Sequence, residues 1–307
     1  MARTVITGAA GLVARELRSQ LERKDDVIAL SHSELDIVDE AAVRRVFRVL
    51  RPAVVFNCAV IGVDECESRP DLARAVNVAG PSNIAAAAAS IGATVVHFST
   101  NYVFDGARGP AIEAPAASRP GRQQPAAASD FYTIGDEPRP VNVYGKTKAE
   151  GERAVIERCD RAFIIRTSWV FGHGKESFLA TAAQRLRNGE RVKAIRDIWA
   201  STTYVVDLVH RLQEILSVGG PATYHIVNSG TCTYEEFARE AARLVGSAES
   251  FIEPVSESTL MRAPRPRYTP MRCLESERLG LLPMRHWTAA LADYVSKGRA
   301  QAIPPSL

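Results

Sequence analysis

Short runs of apolar, mostly β-branched residues alternate with longer amphipathic segments along the first hundred residues. The runs predict strands, and the segments between them, whose apolar residues recur at helical spacing, predict helices. This alternation is typical of βαβ units and a parallel sheet, and runs that are apolar throughout fit a sheet covered on both faces. The predicted strands are Thr4–Thr7, Val27–Leu30, Ala53–Asn57 and Thr94–Phe98, and the predicted helices are Leu12–Leu21, Glu40–Leu50 and about 71–90.

The pattern changes after Phe104, because residues 107–140 are rich in Pro, Ala, Gly and Ser. Within them, 115–130 is of low complexity and too polar and proline-rich to build a core. Helical character returns near Asn142. Further strands are predicted at Ala162–Arg166, Arg191–Ile195 and Ala222–Val227, and further helices near Ser177–Arg187, Val205–Leu216, Tyr234–Leu244 and His286–Val295.

These elements predict an α/β fold of the Rossmann type, a doubly wound parallel sheet with a smaller C-terminal α/β lobe for the substrate. We assign 1–170 to the nucleotide-binding domain, with 196–222 returning to it. The lobe then comprises 171–195 and 223–307.

Composition narrows the class of protein. At 307 residues and 46% hydrophobic the chain can bury a large core, and its net charge of +3 comes from scattered Lys and Arg, so we expect no nucleic acid partner. No apolar run approaches the roughly 20 residues of a membrane helix. The five cysteines form no CxxC pair and the six histidines have no metal spacing, so we expect a cytoplasmic enzyme without a metal. His97 is interpreted as a packed strand residue.

A glycine turn directly follows the first strand and opens a helix. Gly8 permits a tight turn, and Gly11 lets a pyrophosphate approach the positive end of the helix. Ala14 stands where a third small residue packs helix on strand. Gly8 and Gly11 therefore predict a dinucleotide site, although an ordinary strand-to-helix turn has the same pattern.

The end of the second strand predicts which dinucleotide is bound. An acidic residue there would accept hydrogen bonds from the ribose 2′-hydroxyl and repel a 2′-phosphate. Ser31 stands at this point without a carboxylate, and Arg15 could offset a phosphate charge, so we expect NADPH, with NADH also accepted. Asp36 and Ile37 lie where a side chain could reach the adenine, and a solvated turn is an equal alternative.

The catalytic candidates are Tyr144 and Lys148, which form a Tyr-x-x-x-Lys pattern. Residues four apart share one helix face, so the phenol and the ammonium can lie side by side. A neighbouring cation favours the phenolate, and the pair therefore predicts a tyrosine whose pKa moves toward neutrality for acid–base work. An exposed tyrosine beside a solvated lysine is the structural alternative.

The ends of two other predicted strands complete this site. Ligands of open α/β sheets bind outside the carboxyl ends of the strands, which is where Thr100 stands. A carbonyl held between Thr100 and Tyr144 would receive two hydrogen bonds that stabilise a developing alkoxide. The third strand ends at Asn57, followed by Cys58 and Ala59, small residues that a cofactor could pass closely.

With these residues in place, the chain resembles the dTDP-4-dehydrorhamnose reductase family of the extended short-chain dehydrogenase/reductases. The matching stretches are TGAAGLVARELR, ELDIVD, VDECESRPDLARAVN, HFSTNYVFDG, PVNVYGKTKAEGE and IIRTSWVFGHG. They cover nearly the whole chain, with fainter similarity through YHIVNSGTCTYEEFA to the C-terminal helix.

The resemblance implies NAD(P)H-dependent reduction of the 4-keto group of a nucleotide-linked 6-deoxyhexose, with hydride delivered to C4 and the proton supplied by Tyr144. Lys148 would hold the nicotinamide ribose and lower the pKa of the tyrosine. Thr100, Asn101 and Trp169 would contact the sugar. The implied cofactor contacts are Gly11, Leu12, Val13, Ser31, Asp36, Ile37, Val60, Ile61, Gly62 and Phe98. We expect no membrane contact and leave a homodimer open.

Several positions depart from the family pattern. Asn101 stands where the family usually carries Asp, the loop after Asn57 is one residue shorter, and 197–203 replaces a typical D-Q-x-G-x-P-T segment. The run 111–130 has the character of an insertion, and because it lies between Thr100 and Tyr144 we expect it over the sugar site. These departures leave the particular sugar open.

Three other functions share features of this pattern. A dehydratase needs an acidic pair beside Thr100, where Asn101 and Tyr102 stand, so we set it aside. A nucleotide-sugar epimerase would keep its NAD and consume none. A non-catalytic regulatory subunit, similar to the β subunit of methionine adenosyltransferase, would have no need of Thr100, Tyr144 and Lys148 together.

Overall fold

The computed structural model describes residues 3–22, 25–108, 131–174 and 176–301. Its strands are β1 (Arg3–Thr7), β2 (Asp26–Leu30), β3 (Val54–Asn57), β4 (Thr94–Thr100), β5 (Ala162–Thr167), β6 (Val170–Phe171), β7 (Val192–Ile195), β8 (Trp199–Ala200), β9 (Thr203–Tyr204), β10 (Thr223–His225), β11 (Ile252–Val255) and β12 (Tyr268–Thr269). The expected insertion at 111–130 lies outside the described residues.

The helices follow the predicted order. They are α1 (Leu12–Leu21), α2 (Glu40–Leu50), α3 (Val63–Ser68), α4 (Pro70–Arg74), α5 (Gly80–Ala89), α6 (Val143–Arg158), α7 (Phe178–Arg187), α8 (Val205–Val218), α9 (Tyr234–Val245), α10 (Leu274–Arg278) and α11 (Trp287–Gln301). A π-helical turn, Ala75–Ala79, joins α4 to α5 inside the segment predicted as one helix. Short 3₁₀ turns occupy Asn101–Val103, Glu249–Phe251 and Glu257–Thr259.

Six parallel strands form the central sheet in the order β2-β1-β3-β4-β5-β10, which confirms the doubly wound α/β class. The chain moves outward from β1 to β2 and then returns to place β3 on the other side of β1. This reversal opens a crevice at the carboxyl ends of β1 and β3, where ligands of such sheets bind.

Pairs of short parallel strands, β7 with β11, β8 with β12 and β6 with β9, build the C-terminal part of the molecule. One strand expected in the separate lobe lies elsewhere, because β10 pairs with β5 and forms the edge of the central sheet. Residues 223–225 therefore extend the central sheet, and the division into domains stays a prediction.

The apolar core covers both faces of the sheet and continues into the C-terminal part. One face packs against α2, α5 and α6, and the other against α1 and α8. A third cluster joins Leu12 of α1 to Phe237 of α9 and Trp287 of α11, all of them buried. Because that cluster contains the first residue of α1, the glycine turn is held between the sheet and the C-terminal helices.

Candidate functional site

The glycine turn lies in the crevice between β1 and β3. Gly8 has φ +70°, and a Cβ on it would stand 2.7 Å from the backbone nitrogen of Ala59. Both the left-handed backbone and the close approach of the neighbouring chain exclude larger residues here. A Cβ on Gly11 would meet only the carbonyl oxygen of Gly8, at 3.2 Å, so the remaining space above Gly11 is open.

The first turn of α1 has free backbone donors. Gly11 precedes α1 with extended backbone and no side-chain cap, and the first turn carries no acidic residue. By contrast, side chains cap α2, α6, α7 and α9, through Asp39, Asn142, Ser177 and Thr233. The unpaired N–H groups of Leu12 and Val13 therefore suit an anion such as a pyrophosphate. The side chain of Leu12 belongs to the core.

A carboxylate that sequence reasoning missed occupies the end of β2. Glu34 Oε2 accepts hydrogen bonds from the backbone nitrogen of Ser31, at 2.8 Å, and from its hydroxyl, at 2.7 Å. The bond from the Ser31 backbone holds the pKa of Glu34 below its ordinary value. The expectation that no carboxylate stands at this point is wrong, because the turn after β2 folds Glu34 back onto Ser31. Arg15 donates to the carbonyl of Gly174 instead of reaching this strand end.

The other residues expected at the cofactor differ in exposure. Ile37 is buried, and its side chain fills the space where a Cβ on Gly80 would stand. The neighbouring Asp36 is exposed, and its carboxylate accepts from the backbone nitrogen of Val38. Cys58 and Ala59 are half-buried beside Gly8, and Val60 is exposed. Phe98 is buried in the core and presents its carbonyl to the site. Their contacts with a cofactor stay predictions.

Tyr144 and Thr100 meet at the carboxyl end of β4. The Asn142 side chain caps α6, and a Cβ on Gly145 would stand 2.0 Å from the Tyr102 carbonyl oxygen, so α6 begins tightly against the turn after β4. The Thr100 hydroxyl lies near the Tyr144 phenol and accepts from the backbone nitrogen of Tyr102 at 3.2 Å. The two hydroxyls predicted to bind one carbonyl oxygen are therefore brought together.

Lys148 lies one helical turn further along α6, buried beneath this pair. Its Nζ donates to the carbonyl oxygen of Phe98 at 2.6 Å and lies 3.3 Å from Nε2 of His97. Burial lowers the pKa of Lys148 to about 8, against a smaller opposing effect of Glu152.

The predicted acidification of Tyr144 by Lys148 is wrong for the protein alone. Burial raises the pKa of the Tyr144 phenol above its ordinary value, and the nearby Thr100 hydroxyl offsets only part of this increase. The physical reason is that the Lys148 nitrogen contacts two groups of β4, the Phe98 carbonyl and the His97 ring. Tyr144 is therefore a protonated acid at neutral pH, the form that a proton donor requires.

Asn57 and His97 form a buried polar layer that sequence reasoning did not assign to the site. Asn57 Nδ2 lies 3.0 Å from His97 Nδ1, and Thr7 donates to Asn57 Oδ1 at 2.9 Å. The interpretation of His97 as a packed strand residue is correct for its burial and omits its contact with Lys148. A polar side chain inside an apolar strand was the available signal, because such a group needs a partner.

Two of the three residues expected at the sugar, Asn101 and Trp169, contact residues of the C-terminal part of the chain. Asn101 is buried, accepts from Thr100 at 3.2 Å and donates to the hydroxyl of Thr269 in β12 at 2.7 Å. Trp169 is half-buried, stacks on Tyr234 at 4.0 Å and has φ +40°. A positive φ on a bulky residue is strained and persists only where packing enforces it. Contact of either residue with a sugar stays a prediction.

Within the ranges described, no group of three or more His, Cys, Asp or Glu side chains is arranged to hold a metal ion. In the same ranges no helix has the length and hydrophobicity needed to cross a membrane.

The parallel sheet, the glycine turn at β1 and the Tyr144–Lys148–Thr100 group define an oxidoreductase of the short-chain dehydrogenase/reductase class. Residues 2–300 match the family model described as RmlD substrate binding domain. The chain therefore belongs to the dTDP-4-dehydrorhamnose reductase family of that class.

Relatives that match the chain over almost its whole length support this membership. The chain is 38% identical over 299 residues to a dTDP-4-dehydrorhamnose reductase of Mycolicibacterium smegmatis, covering 96% of this chain and 85% of the relative. It is 38% identical over 301 residues to the enzyme of that name from Streptomyces griseus, covering 95% and 92%. The crystal structure of dTDP-4-dehydrorhamnose reductase from Bacillus anthracis in complex with NADP has a TM-score of 0.86 and 30% identity, covering 96% of this chain and 99% of that one.

Proposed function

We propose that this chain is an NADPH-dependent reductase of the 4-keto group of a dTDP-linked 4-keto-6-deoxyhexose. The observation that carries the proposal is the meeting of the Thr100 and Tyr144 hydroxyls at the end of β4, with Lys148 beneath them. Relatives that match almost the whole chain are named as dTDP-4-dehydrorhamnose reductases, which supports the substrate class.

The crevice fits a dinucleotide on its own geometry. The uncapped first turn of α1 and the open space above Gly11 suit the pyrophosphate, and Ser31 ends the strand that meets the adenosine ribose. NADPH, when bound, supplies the hydride for C4 of the sugar. A solved relative contains NADP, and we infer that this chain takes NADPH and also accepts NADH.

The residues of the chain then perform the proton chemistry. Tyr144 keeps its proton at neutral pH because burial raises its pKa, and it donates that proton as negative charge develops on the carbonyl oxygen. Thr100 offers a second hydroxyl to the same oxygen. Lys148, when protonated, places a positive charge below the phenol that has given up its proton.

We assign sugar contacts to Asn101 and Trp169. Asn101 is hydrogen-bonded to Thr100 and Trp169 stacks on Tyr234, and Asn101 replaces the usual acidic residue with a neutral amide. We further expect a cytoplasmic enzyme that binds no nucleic acid and leave a homodimer open.

The test is a stoichiometric assay. The protein is incubated with NADPH and a panel of dTDP-4-keto-6-deoxyhexoses, and absorbance at the nicotinamide band is followed together with product formation. We expect one NADPH consumed per sugar reduced. Sugar interconversion without NADPH consumption would indicate an epimerase, and absence of turnover with bound NADPH would indicate a regulatory subunit.

A further inference from the structure

A continuous chain of buried polar groups connects the glycine turn to the reaction centre. Thr7 ends β1, Asn57 ends β3, His97 lies in β4 and Lys148 on α6, and each of these residues is at most 2% exposed. The contacts run from Thr7 Oγ1 to Asn57 at 2.9 Å, to His97 at 3.0 Å and to Lys148 Nζ at 3.3 Å. An unpaired polar group in such a buried layer is costly, so every donor in it must face an acceptor.

The backbone determines the orientation of the Asn57 amide. The Ala59 N–H can only donate, and it points to Asn57 Oδ1 at 3.3 Å. The amide nitrogen of Asn57 therefore faces His97 and donates to its Nδ1. Since a ring nitrogen that accepts carries no hydrogen, the proton of a neutral His97 must be on Nε2.

His97 is neutral, because burial and the adjacent Lys148 both lower its pKa well below its ordinary value. Its Nε2–H then points at the nitrogen of Lys148. An amine can accept this bond and still donate to the Phe98 carbonyl, whereas an ammonium has no lone pair to accept with. The observed arrangement therefore suits an uncharged Lys148.

A charged Lys148 requires the opposite arrangement. Nε2 of His97 must then accept, its hydrogen must move to Nδ1, and the Asn57 amide must turn its oxygen toward His97. Turning the amide removes the acceptor from the Ala59 N–H. The Thr7 hydroxyl can donate or accept and so fits both states.

We propose that His97 is a positioning residue that couples the charge of Lys148 to the orientation of the Asn57 amide. When Lys148 gains a proton, His97 keeps one hydrogen and moves it from Nε2 to Nδ1, and Asn57 reverses. Ala59, beside the glycine turn, loses its bond to Asn57 in the same step. Ligand binding in the crevice beside Ala59 and the protonation of Lys148 thus influence each other through the Asn57 amide.

Few other charges face this lysine. Glu152 lies one turn along α6, but its carboxylate is held by Arg166 at 2.7 Å and by the hydroxyl of Ser99. The thiols of Cys58 and Cys66 face Lys148 from the segment after β3 and from α3, and burial raises the pKa of both. The Tyr144 phenol is protonated for the same reason. Among these groups, His97 contacts Lys148 Nζ directly, at 3.3 Å, so its ring nitrogen Nε2 responds to the charge of the lysine.

Nitrogen NMR of ¹⁵N-histidine-labelled protein tests this coupling directly, since the ring shifts distinguish the two neutral tautomers. The signals absent from His97→Gln are those of His97. We expect Nδ1–H at pH 6.5, Nε2–H at pH 9.5 and an inflection near the lysine pKa of about 8. In Lys148→Met the Nε2–H form should persist across this range. A single tautomer throughout in the wild type, or an unchanged inflection in Lys148→Met, would overturn the proposal.

A second measurement connects the coupling to the proposed function, on which its catalytic meaning rests. In His97→Gln the side-chain oxygen can accept from an ammonium without any tautomer change, so charged Lys148 becomes easier to form. We expect the inflection of kcat/KM assigned to Lys148 to move up by about one pH unit, the value of one hydrogen bond to a charge. An unmoved inflection in a variant with wild-type Tm would contradict the role of His97. The NMR result needs no turnover, so failure of the reductase assay would be distinguishable.

Discussion

Tyr144 illustrates how one side chain can be placed correctly from sequence and misjudged in its charge. Its spacing from Lys148 and its meeting with Thr100 follow the expectation, because four residues of helix put both side chains on one face. The predicted lowering of its pKa does not follow, because the Lys148 nitrogen contacts the Phe98 carbonyl and His97. Pairwise spacing does not reveal such competing partners.

Replacing Tyr144 with Phe removes the proposed proton donor and keeps the ring, which packs edge-on to Tyr102 at 5.9 Å. We expect kcat to fall by about 10²–10⁴-fold, since this is the usual contribution of a positioned acid. NADPH affinity and Tm should stay near the wild-type values. Steady-state kinetics and a fluorescence titration with NADPH check the prediction, and near-normal turnover would refute the assignment.

Glu34 is predicted to limit the use of NADPH. Its carboxylate holds both the N–H and the hydroxyl of Ser31, the groups nearest a 2′-phosphate, and adds a like charge. In Glu34→Gln we expect the ratio of kcat/KM for NADPH to that for NADH to rise roughly threefold to tenfold.

The matched control for this prediction is Glu40→Gln, which removes another exposed carboxylate, one paired with Arg44 in α2. That variant should leave the cofactor ratio unchanged. A ratio that is the same in Glu34→Gln and the wild type would show that Ser31 and Glu34 do not face the ribose.

The elements themselves follow from periodicity in most of the chain. The first four predicted strands and the helices between them recur as β1 to β4, α1 and α2, because apolar runs and 3.6-residue periods report burial directly. The helix predicted at 71–90 contains a π-helical turn, whose extra residue leaves no trace in an alanine-rich pattern. The pairing of β10 with β5 depends on partners distant in sequence.

Residues 111–130 are predicted to be dispensable for folding. The chain on either side is held together without them, because Arg108 donates to the Phe131 carbonyl at 3.1 Å and Tyr132 donates to Asp105 at 2.6 Å. Phe104 and Tyr132 also stack at 4.3 Å. Deleting 111–130 should therefore change Tm by only a few degrees.

The same deletion should change KM for the sugar, because the segment joins the strand of Thr100 to the helix of Tyr144. Circular dichroism and steady-state kinetics on the deletion variant measure both effects. Loss of the folded state would show that the segment is structural, and an unchanged KM would show that it does not approach the sugar.

At the scale of the whole molecule, the sheet and the C-terminal helices share one core. Phe237 of α9 is fully buried, contacts Phe171 edge-on at 5.4 Å and stacks with Trp287 at 5.9 Å, in the cluster that also contains Leu12 of α1. Asn101, directly after β4, and Thr269 of β12 are also connected, through a hydrogen bond of 2.7 Å beside the candidate site. The parts should therefore unfold together.

Truncating Phe237 to Ala tests this cooperation. We expect a loss of about 3–5 kcal/mol in the free energy of unfolding and a fall in Tm of about 5–15 °C, with near- and far-UV circular dichroism still giving one coincident transition. Leu282→Ala is the control, since Leu282 is 80% exposed and its loss should be nearly neutral. Two separate transitions in Phe237→Ala would show that the parts are independent.

The sequence by itself determined the sheet class, the glycine turn and the placement of Tyr144 and Lys148 on one helix near Thr100, because these depend on local periodicity and on fixed spacing. Only the tertiary structure decided the charge states and partners, including Glu34 on Ser31, the neutral layer of Asn57 and His97, and the raised pKa of the phenol. The physical reason is that burial and hydrogen-bond partners are set by distant segments packed together. The pKa of a buried group therefore depends on all of these partners together.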